Sequence, residues 1–129
     1  MSNNTGRAIS TYIRHIYSIG FSSIMITFFN TNLSLRFYPY IGEDNNGRSQ
    51  YDNEKGITTT FSYDGASLLY LIAMKILEGE DSEKEIRSTL ECYSNTALTF
   101  EYKPGQNNQM EAYLTIDKNN ETIPFKFNA

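Results

Sequence analysis

The sequence predicts a single α+β domain, rich in antiparallel β-structure, with about seven to eight strands and one central helix. Short segments in which apolar and polar residues alternate occur in both halves of the chain, and such alternation is typical of half-buried strands. Gly-, Asn- and Asp-rich turns separate these segments. Between the two halves lies one long apolar segment without alternation, residues 64–78, which indicates a helix. A chain of 129 residues fits one domain, 1–129, of which 1–7 are polar and expected to be flexible.

About four strands are predicted before the helix. The β-branched and aromatic residues of 8–19 indicate a first strand, and 22–29 a second. Asn30-Thr31-Asn32 then turns the chain into 33–40 as an antiparallel hairpin. Residues 42–56 form a polar loop, and 57–62 a further strand with Ile57, Thr59 and Phe61 directed inward. The first strand is expected to place one set of side chains on a single face: Ile9, Thr11, Ile13, His15, Tyr17 and Ile19.

The segment LSLRFYPY, residues 33–40, alternates strictly. Its apolar set suits a buried sheet face: Leu33, Leu35, Phe37 and Pro39. The opposite set combines hydroxyl, cationic and aromatic groups: Ser34, Arg36, Tyr38 and Tyr40. Such a polar and aromatic face on a small protein suggests a binding surface.

The helix 64–78 has Asp64 as its expected N-cap and Gly79 as the residue that follows its C-terminus. Apolar side chains cover nearly its whole circumference, so one sheet alone cannot cover it. The remaining side needs a second sheet or a partner chain, and a partner chain is favoured, in a homodimer or higher homo-oligomer. The predicted interface residues are Leu68, Leu71, Ile72 and Met74.

The second half of the chain predicts four more strands. Residues 82–94 are ambiguous, because Ser82 and Glu85 form a capping-box pattern whereas Ile86 to Tyr93 alternate. A strand is favoured there. Residues 97–103, 109–117 and 122–127 are clearer strands, separated by the turn-like sequences PGQNNQ and KNNE.

Catalytic groups are few. His15 is the only histidine and Cys92 the only cysteine, and no phosphate-binding loop or metal-binding motif occurs. The sequence therefore predicts no enzyme, no cofactor and no metal. A single cysteine excludes an intrachain disulfide and fits a reducing compartment such as the cytoplasm. No apolar run long enough to span a membrane and no signal peptide is present.

Aromatic residues and charge are unevenly used. The chain has 10 tyrosines and 8 phenylalanines but no tryptophan. Residues 1–41 contain three arginines, Arg7, Arg14 and Arg36, and no acidic residue, although the whole chain has a net charge of −4. The N-terminal segment is therefore basic within an acidic protein.

These observations suggest a face for single-stranded nucleic acid, on which bases stack on tyrosine rings while cations and hydroxyls hold phosphates. Tyr12 and Arg14 are expected to share the outer face of the first strand. Two other interpretations stay open: exposed tyrosines that only stabilise strand pairing, and a patch that binds protein, as in a virion or assembly subunit. The predicted nucleic-acid-binding residues are Tyr12, Arg14, Arg36, Tyr38, Tyr40, Arg48, Lys55, Thr58 and Thr60.

Residues 33–72 also carry a resemblance. A strand with the pattern L-x-L-R-x-Y, a Gly- and acid-rich loop, the sequence K-G-I-T and then a helix follow in the order found in the single-stranded-DNA-binding domain of positive cofactor four. The order of elements in the whole chain also resembles the plant Whirly proteins, and phage proteins with this fold are replication-type single-strand binders. The loop differs in having only two basic residues, Arg48 and Lys55.

The resemblance implies a Whirly-like fold, helices packed at a dimer interface and single strands lying across the sheets, with a place in DNA replication, recombination or transcription. Arg36 matches the family's strand arginine and Tyr38 the aromatic residue after it. Lys55 matches the basic residue before Gly-Ile, and Thr58 the hydroxyl after it. The expected partner is thus single-stranded DNA, with RNA left open, and a phage origin would place the protein in the host cytoplasm.

Overall fold

The computed structural model describes residues 10–29, 32–77 and 85–127, which form nine β-strands and one α-helix. The elements of the first half are β1 (Ser10–Ser18), β2 (Ser22–Phe29), β3 (Asn32–Glu43), β4 (Ser49–Tyr51), β5 (Ile57–Phe61) and α1 (Tyr63–Leu77). Those of the second half are β6 (Ile86–Glu91), β7 (Thr96–Pro104), β8 (Met110–Lys118) and β9 (Glu121–Lys126).

The first sheet is organised around the long strand β3. All pairings in it are antiparallel, in the order β1-β2-β3. Beyond β3, strand β5 pairs with residues 33–37, and β4 pairs with the far end of β3, from Tyr40 to Glu43. Because β3 is long enough to hold two partners along one side, both halves of the 33–40 segment lie within paired sheet.

The second sheet is an antiparallel meander, β6-β7-β8-β9. Its hairpin turns use residues that tolerate the left-handed backbone region: Ser94 and Asn95 between β6 and β7, and Asn119 and Asn120 between β8 and β9, all with positive φ. Two consecutive left-handed residues match the twist of the flanking strands. The turn predicted at KNNE is therefore confirmed.

The core lies between the two sheets. Alternate residues of β3, β5, β8 and β9 face inward. Phe37, Leu98 and Ile116 are fully buried at 0% exposure. The remaining core side chains are Ile24, Leu35, Ile57, Phe61, Phe100, Leu114, Ile123 and Phe125. The expected inward direction of Ile57, Thr59 and Phe61 is confirmed.

Buried hydroxyl groups also join the sheets. Thr59 Oγ1 and Thr96 Oγ1 are 2.6 Å apart. Ser18 donates a hydrogen bond of 2.6 Å to the carbonyl of Lys126, and Ser22 a similar one to the carbonyl of Pro124. Polar groups that are buried this deeply need such partners, so these bonds fix how the sheets are placed on each other.

The helix covers one end of this core only in part. Ala66 and Leu69 pack against the core, whereas Leu68 is 44% and Leu71 60% exposed. The helix begins at Tyr63, so the expected N-cap role of Asp64 is wrong. The Asp64 carboxylate lies in the first turn, where it interacts favourably with the positive end of the helix dipole. No helix in the described ranges is long and apolar enough to cross a membrane.

The β-rich α+β class is confirmed, with two antiparallel sheets and a single helix. The predicted count of seven to eight strands is too low, because the loop 42–56 contains the short strand β4, which pairs with the extension of β3. A strand within 82–94 is confirmed at β6. The predictions for residues 1–7, Gly79 and the Asn30-Thr31 turn lie outside the described residues.

Candidate nucleic-acid interface

The outer face of the first sheet carries the side chains singled out in the sequence. On β3, Leu35 and Phe37 are buried while Arg36 and Tyr38 lie on the opposite face. Register places Ser23 opposite Tyr38, and Thr58 opposite Arg36. The alternation predicted for residues 33–40 is therefore confirmed.

Five aromatic rings gather on this face and define what we call the aromatic surface: His15, Tyr17, Tyr38, Tyr40 and Tyr51. His15 and Tyr17 stack in parallel, with ring centroids 4.6 Å apart. The next contacts are His15 to Tyr38 at 5.9 Å, Tyr17 to Tyr51 at 5.7 Å and Tyr40 to Tyr51 at 5.8 Å. The rings therefore form one connected chain across β1, β3 and β4, and Tyr17 remains 59% exposed.

Arg36 sits at one end of the aromatic surface and is held in place. Its guanidinium carbon lies 5.2 Å from the centre of the Tyr38 ring, a cation–π contact. Nη1 donates to Thr58 Oγ1 at 2.8 Å, and Nη2 donates to the carbonyl of Asn53 at 3.3 Å. Since a guanidinium has five N–H donors, several remain for a ligand oxygen.

Gly56 allows this position of Arg36. A Cβ atom added at Gly56 would lie 2.9 Å from the guanidinium carbon, closer than real Cβ contacts. The glycine therefore belongs to the site, although the sequence singled it out only as part of the K-G-I-T match.

The aromatic surface is close to neutral apart from Arg36. Burial lowers the pKa of His15 below its ordinary value, so the imidazole is uncharged at pH 7. Its Nε2 lies 3.1 Å from Ser23 Oγ. Burial likewise raises the pKa of Tyr51, which keeps its phenol protonated. Uncharged aromatic rings beside one cation are side chains of the kind on which bases stack.

The first strand departs from the prediction. A bulge at Ile13 shifts the register, so Tyr12 pairs with Thr27 on the outer face while Arg14 pairs with Ile26 on the opposite face. The expectation that Tyr12 and Arg14 share a face is therefore wrong. The sequence predicts His15 and Tyr17 on the same face as Thr11, but after the bulge they share the outer face with Tyr12. An inserted residue reverses the orientation of the residues that follow it.

The other predicted residues fall in three places. Tyr12 is 60% exposed on β1, and Tyr40 belongs to the aromatic surface. Arg48 lies in the β3–β4 turn, where its backbone N–H donates to Asp44 Oδ1 at 2.9 Å. Lys55, Thr58 and Thr60 line a cleft at the β5 edge of the sheet, together with Arg36.

A hollow of about 460 Å³ adjoins the aromatic surface at its β4 end. Its polar groups include the amides of Gln50 and Asn53 and the hydroxyls of Ser23 and Ser49. Side chains of this kind donate to and accept from the edges of bases. Sequence reasoning left these residues out, because only the β3–β4 pairing brings 49–53 beside β1.

Within residues 10–29, 32–77 and 85–127, the structure offers no side-chain cluster suited to a metal ion. No group of three or more His, Cys, Asp or Glu side chains there is placed to hold a metal ion. Burial raises the pKa of Cys92, which keeps the thiol protonated and weakly nucleophilic.

No known protein family, curated protein or solved structure matches this chain.

Proposed function

We propose that this protein binds single-stranded nucleic acid, with single-stranded DNA as the first ligand to test, and that it has no enzymatic activity. Bases stack on the aromatic surface, and the Arg36 guanidinium contacts the backbone phosphate next to Tyr38. A function in replication, recombination or transcription of a phage genome follows from the Whirly-like resemblance.

The connected rings on an outer sheet face are the observation that carries this proposal. Tyrosines that serve only strand pairing need one neighbour each. Here the rings run through three strands, include the 59% exposed Tyr17 and end at a positioned arginine. Stacking contributes about 1–3 kcal/mol per base, so two or three bases give useful affinity without sequence-specific contacts.

The overall acidity of the chain does not oppose binding at this face. None of the outward residues at the centre of the first sheet is acidic: Tyr12, His15, Tyr17, Ser23, Met25, Thr27, Ser34, Arg36, Tyr38, Tyr40, Thr58 and Thr60. The local field at a site, rather than the net charge, governs the attraction of a charged ligand.

A titration with labelled poly-pyrimidine strands tests the function. We expect binding at low salt that weakens as salt rises, with a slope of log K against log salt of about −0.7 for each phosphate neutralised. Duplex DNA of the same sequence is the control and is expected to bind more weakly, because its bases are already stacked. Parallel titration with RNA compares the two ligands. No binding of any single strand at low salt would end the proposal and favour a protein-contact role for the aromatic surface.

We further propose that the protein is a homodimer joined through the helix. Leu68 and Leu71 are three residues apart, so they lie on one side of α1, and both are exposed. Met74 continues the same side and is half-buried, whereas the side chain of Ile72 lies outside the described part of the chain. Burying this side against a second copy would remove apolar area that the single chain leaves in water.

Leu71→Asp is expected to raise the dimer dissociation constant by at least tenfold, because the loss of one buried leucine costs about 1.5–3 kcal/mol. Light scattering over a concentration series measures this shift. Thr122→Asp adds the same charge at an exposed position of β9 and should leave the dimer unchanged. A dimer that survives Leu71→Asp with unchanged affinity would place the interface elsewhere.

A further inference from the structure

A cleft lies between the two sheets and contains none of the rings of the aromatic surface. It has a volume of about 800 Å³. The first sheet contributes Arg36, Lys55, Thr58 and Thr60, and the second contributes Lys118 and Asn119 from the β8–β9 turn. Arg36 lines this cleft and also lies over Tyr38, so the aromatic surface leads directly into it.

The chemistry of the cleft fits a phosphate group. Three cations converge from three separate chain segments: Arg36 on β3, Lys55 before β5 and Lys118 at the end of β8. The hydroxyls of Thr58, Thr60 and Ser94 lie on the same walls. Hydroxyl and ammonium groups are the usual donors to phosphate oxygens.

Among the described residues, neither lysine of the cleft has a carboxylate partner. Within the described ranges, no ion pair joins Lys55 or Lys118 to a carboxylate, whereas Lys103 and Lys126 on the same second sheet are paired with Glu101 and Glu111. Glu54 and Glu121 also line the cleft, so its formal charge is three positive minus two negative, or +1. The cationic groups are therefore available, and the acidic groups moderate their attraction.

We infer that the cleft binds a backbone phosphate of the single strand as it leaves the aromatic surface, and that Lys118 is a nucleic-acid-binding residue on the second sheet. This inference rests on the proposed function. The bound nucleic acid would then cross from the first sheet to the second at the β5 edge, instead of lying on the first sheet alone.

The test compares five variants by fluorescence anisotropy with a labelled poly-pyrimidine strand at several salt concentrations. Lys118→Gln is expected to weaken binding by about fivefold at low salt, since one unit charge pair at 4 Å in water corresponds to about that factor. The magnitude of the salt slope should fall by about 0.7. Lys118→Arg keeps the charge and should restore both quantities. Glu121→Gln removes an opposing charge and should tighten binding.

Lys103→Gln is the matched control. Lys103 pairs in register with Glu111, seven residues from Lys118 on β8, which is roughly 23 Å along the strand. Removing that charge should leave the salt slope unchanged. Equal effects of Lys118→Gln and Lys103→Gln would overturn the inference, because they would show only the effect of net charge.

The outcomes also separate this inference from the proposed function. If Lys118→Gln binds like the parent protein while Arg36→Ala weakens binding, the strand does not enter the cleft but the function stands. If Lys118→Arg fails to restore binding, Lys118 has a structural role and the inference is wrong. If the parent protein binds no single strand, both proposals fail together.

Discussion

Replacing Arg36 and Tyr38 together with alanine is expected to weaken single-strand binding by roughly 2–4 kcal/mol, about 30- to 1000-fold in the dissociation constant. The loss of the Tyr38 ring removes one stacking platform, which is worth about 1–3 kcal/mol. The loss of Arg36 removes the permanent cation at the end of the aromatic surface. Anisotropy titration at low salt measures the combined effect.

The stability of the double variant should change little. Both side chains lie on the outer face, away from the core, and what they lose is one cation–π contact, one ring contact and two hydrogen bonds. A thermal unfolding midpoint within a few degrees of the parent is the expected result. If the variant unfolds instead, this face is structural. If it stays folded and binds as tightly as the parent, the strand does not use this face.

Gly56→Ala tests the position of the Arg36 side chain while both Arg36 and Tyr38 are kept. The added methyl group must displace the Arg36 guanidinium, because it would lie 2.9 Å from that group. This displacement should cost little stability, because the end of a long side chain can move. Gly56 also does not use a left-handed backbone conformation, so alanine fits its backbone. Binding should therefore fall toward the level of Arg36→Ala with the fold intact. Unchanged binding would mean that the observed position of Arg36 is not the one used.

Which side chains lie on which face of the sheet was predictable wherever apolar and polar residues alternate without interruption. Every second residue of β3 from Leu33 to Pro39 is apolar, and so are both ends of β5, so burying these residues fixes the orientation of Arg36, Tyr38 and Thr58. The same rule failed on β1, where the bulge at Ile13 reverses the facing of His15 and Tyr17. Nothing in the local sequence requires that bulge, since the residues on both of its sides suit a strand equally well.

Residues brought together from distant segments were harder to predict. Tyr51 lies in a segment so polar that it resembled a loop, and only its pairing with Tyr40 places its ring on the aromatic surface. Lys118 was predicted only as part of the KNNE turn. Its position in the cleft depends on how two sheets pack, which is set by the whole core and by the Thr59–Thr96 hydrogen bond. Periodicity contains no information about packing between sheets.

One face of β3 therefore contributes to stability and the other to binding, and substitutions at two neighbouring residues test this separation. Phe37→Ala is expected to lower the free energy of unfolding by about 3–5 kcal/mol, because a fully buried ring leaves a cavity that the sheets cannot close. Domains of this size have only about 5–15 kcal/mol of stability, so we expect the variant to lose much of its folded population on mild heating. Denaturant titration gives the value.

Tyr38→Ala, one residue along, is the matched control. Its ring lies on the outer face, so its removal should cost about 1 kcal/mol of stability or less, while most of its effect falls on binding. Phe37→Ala should show the reverse in conditions where it remains folded: normal affinity per folded molecule and much reduced stability. If the two substitutions lowered the free energy of unfolding equally, the outer face of β3 would contribute to stability as much as the core does. Nucleic acid could then not bind to the outer face without disturbing the core.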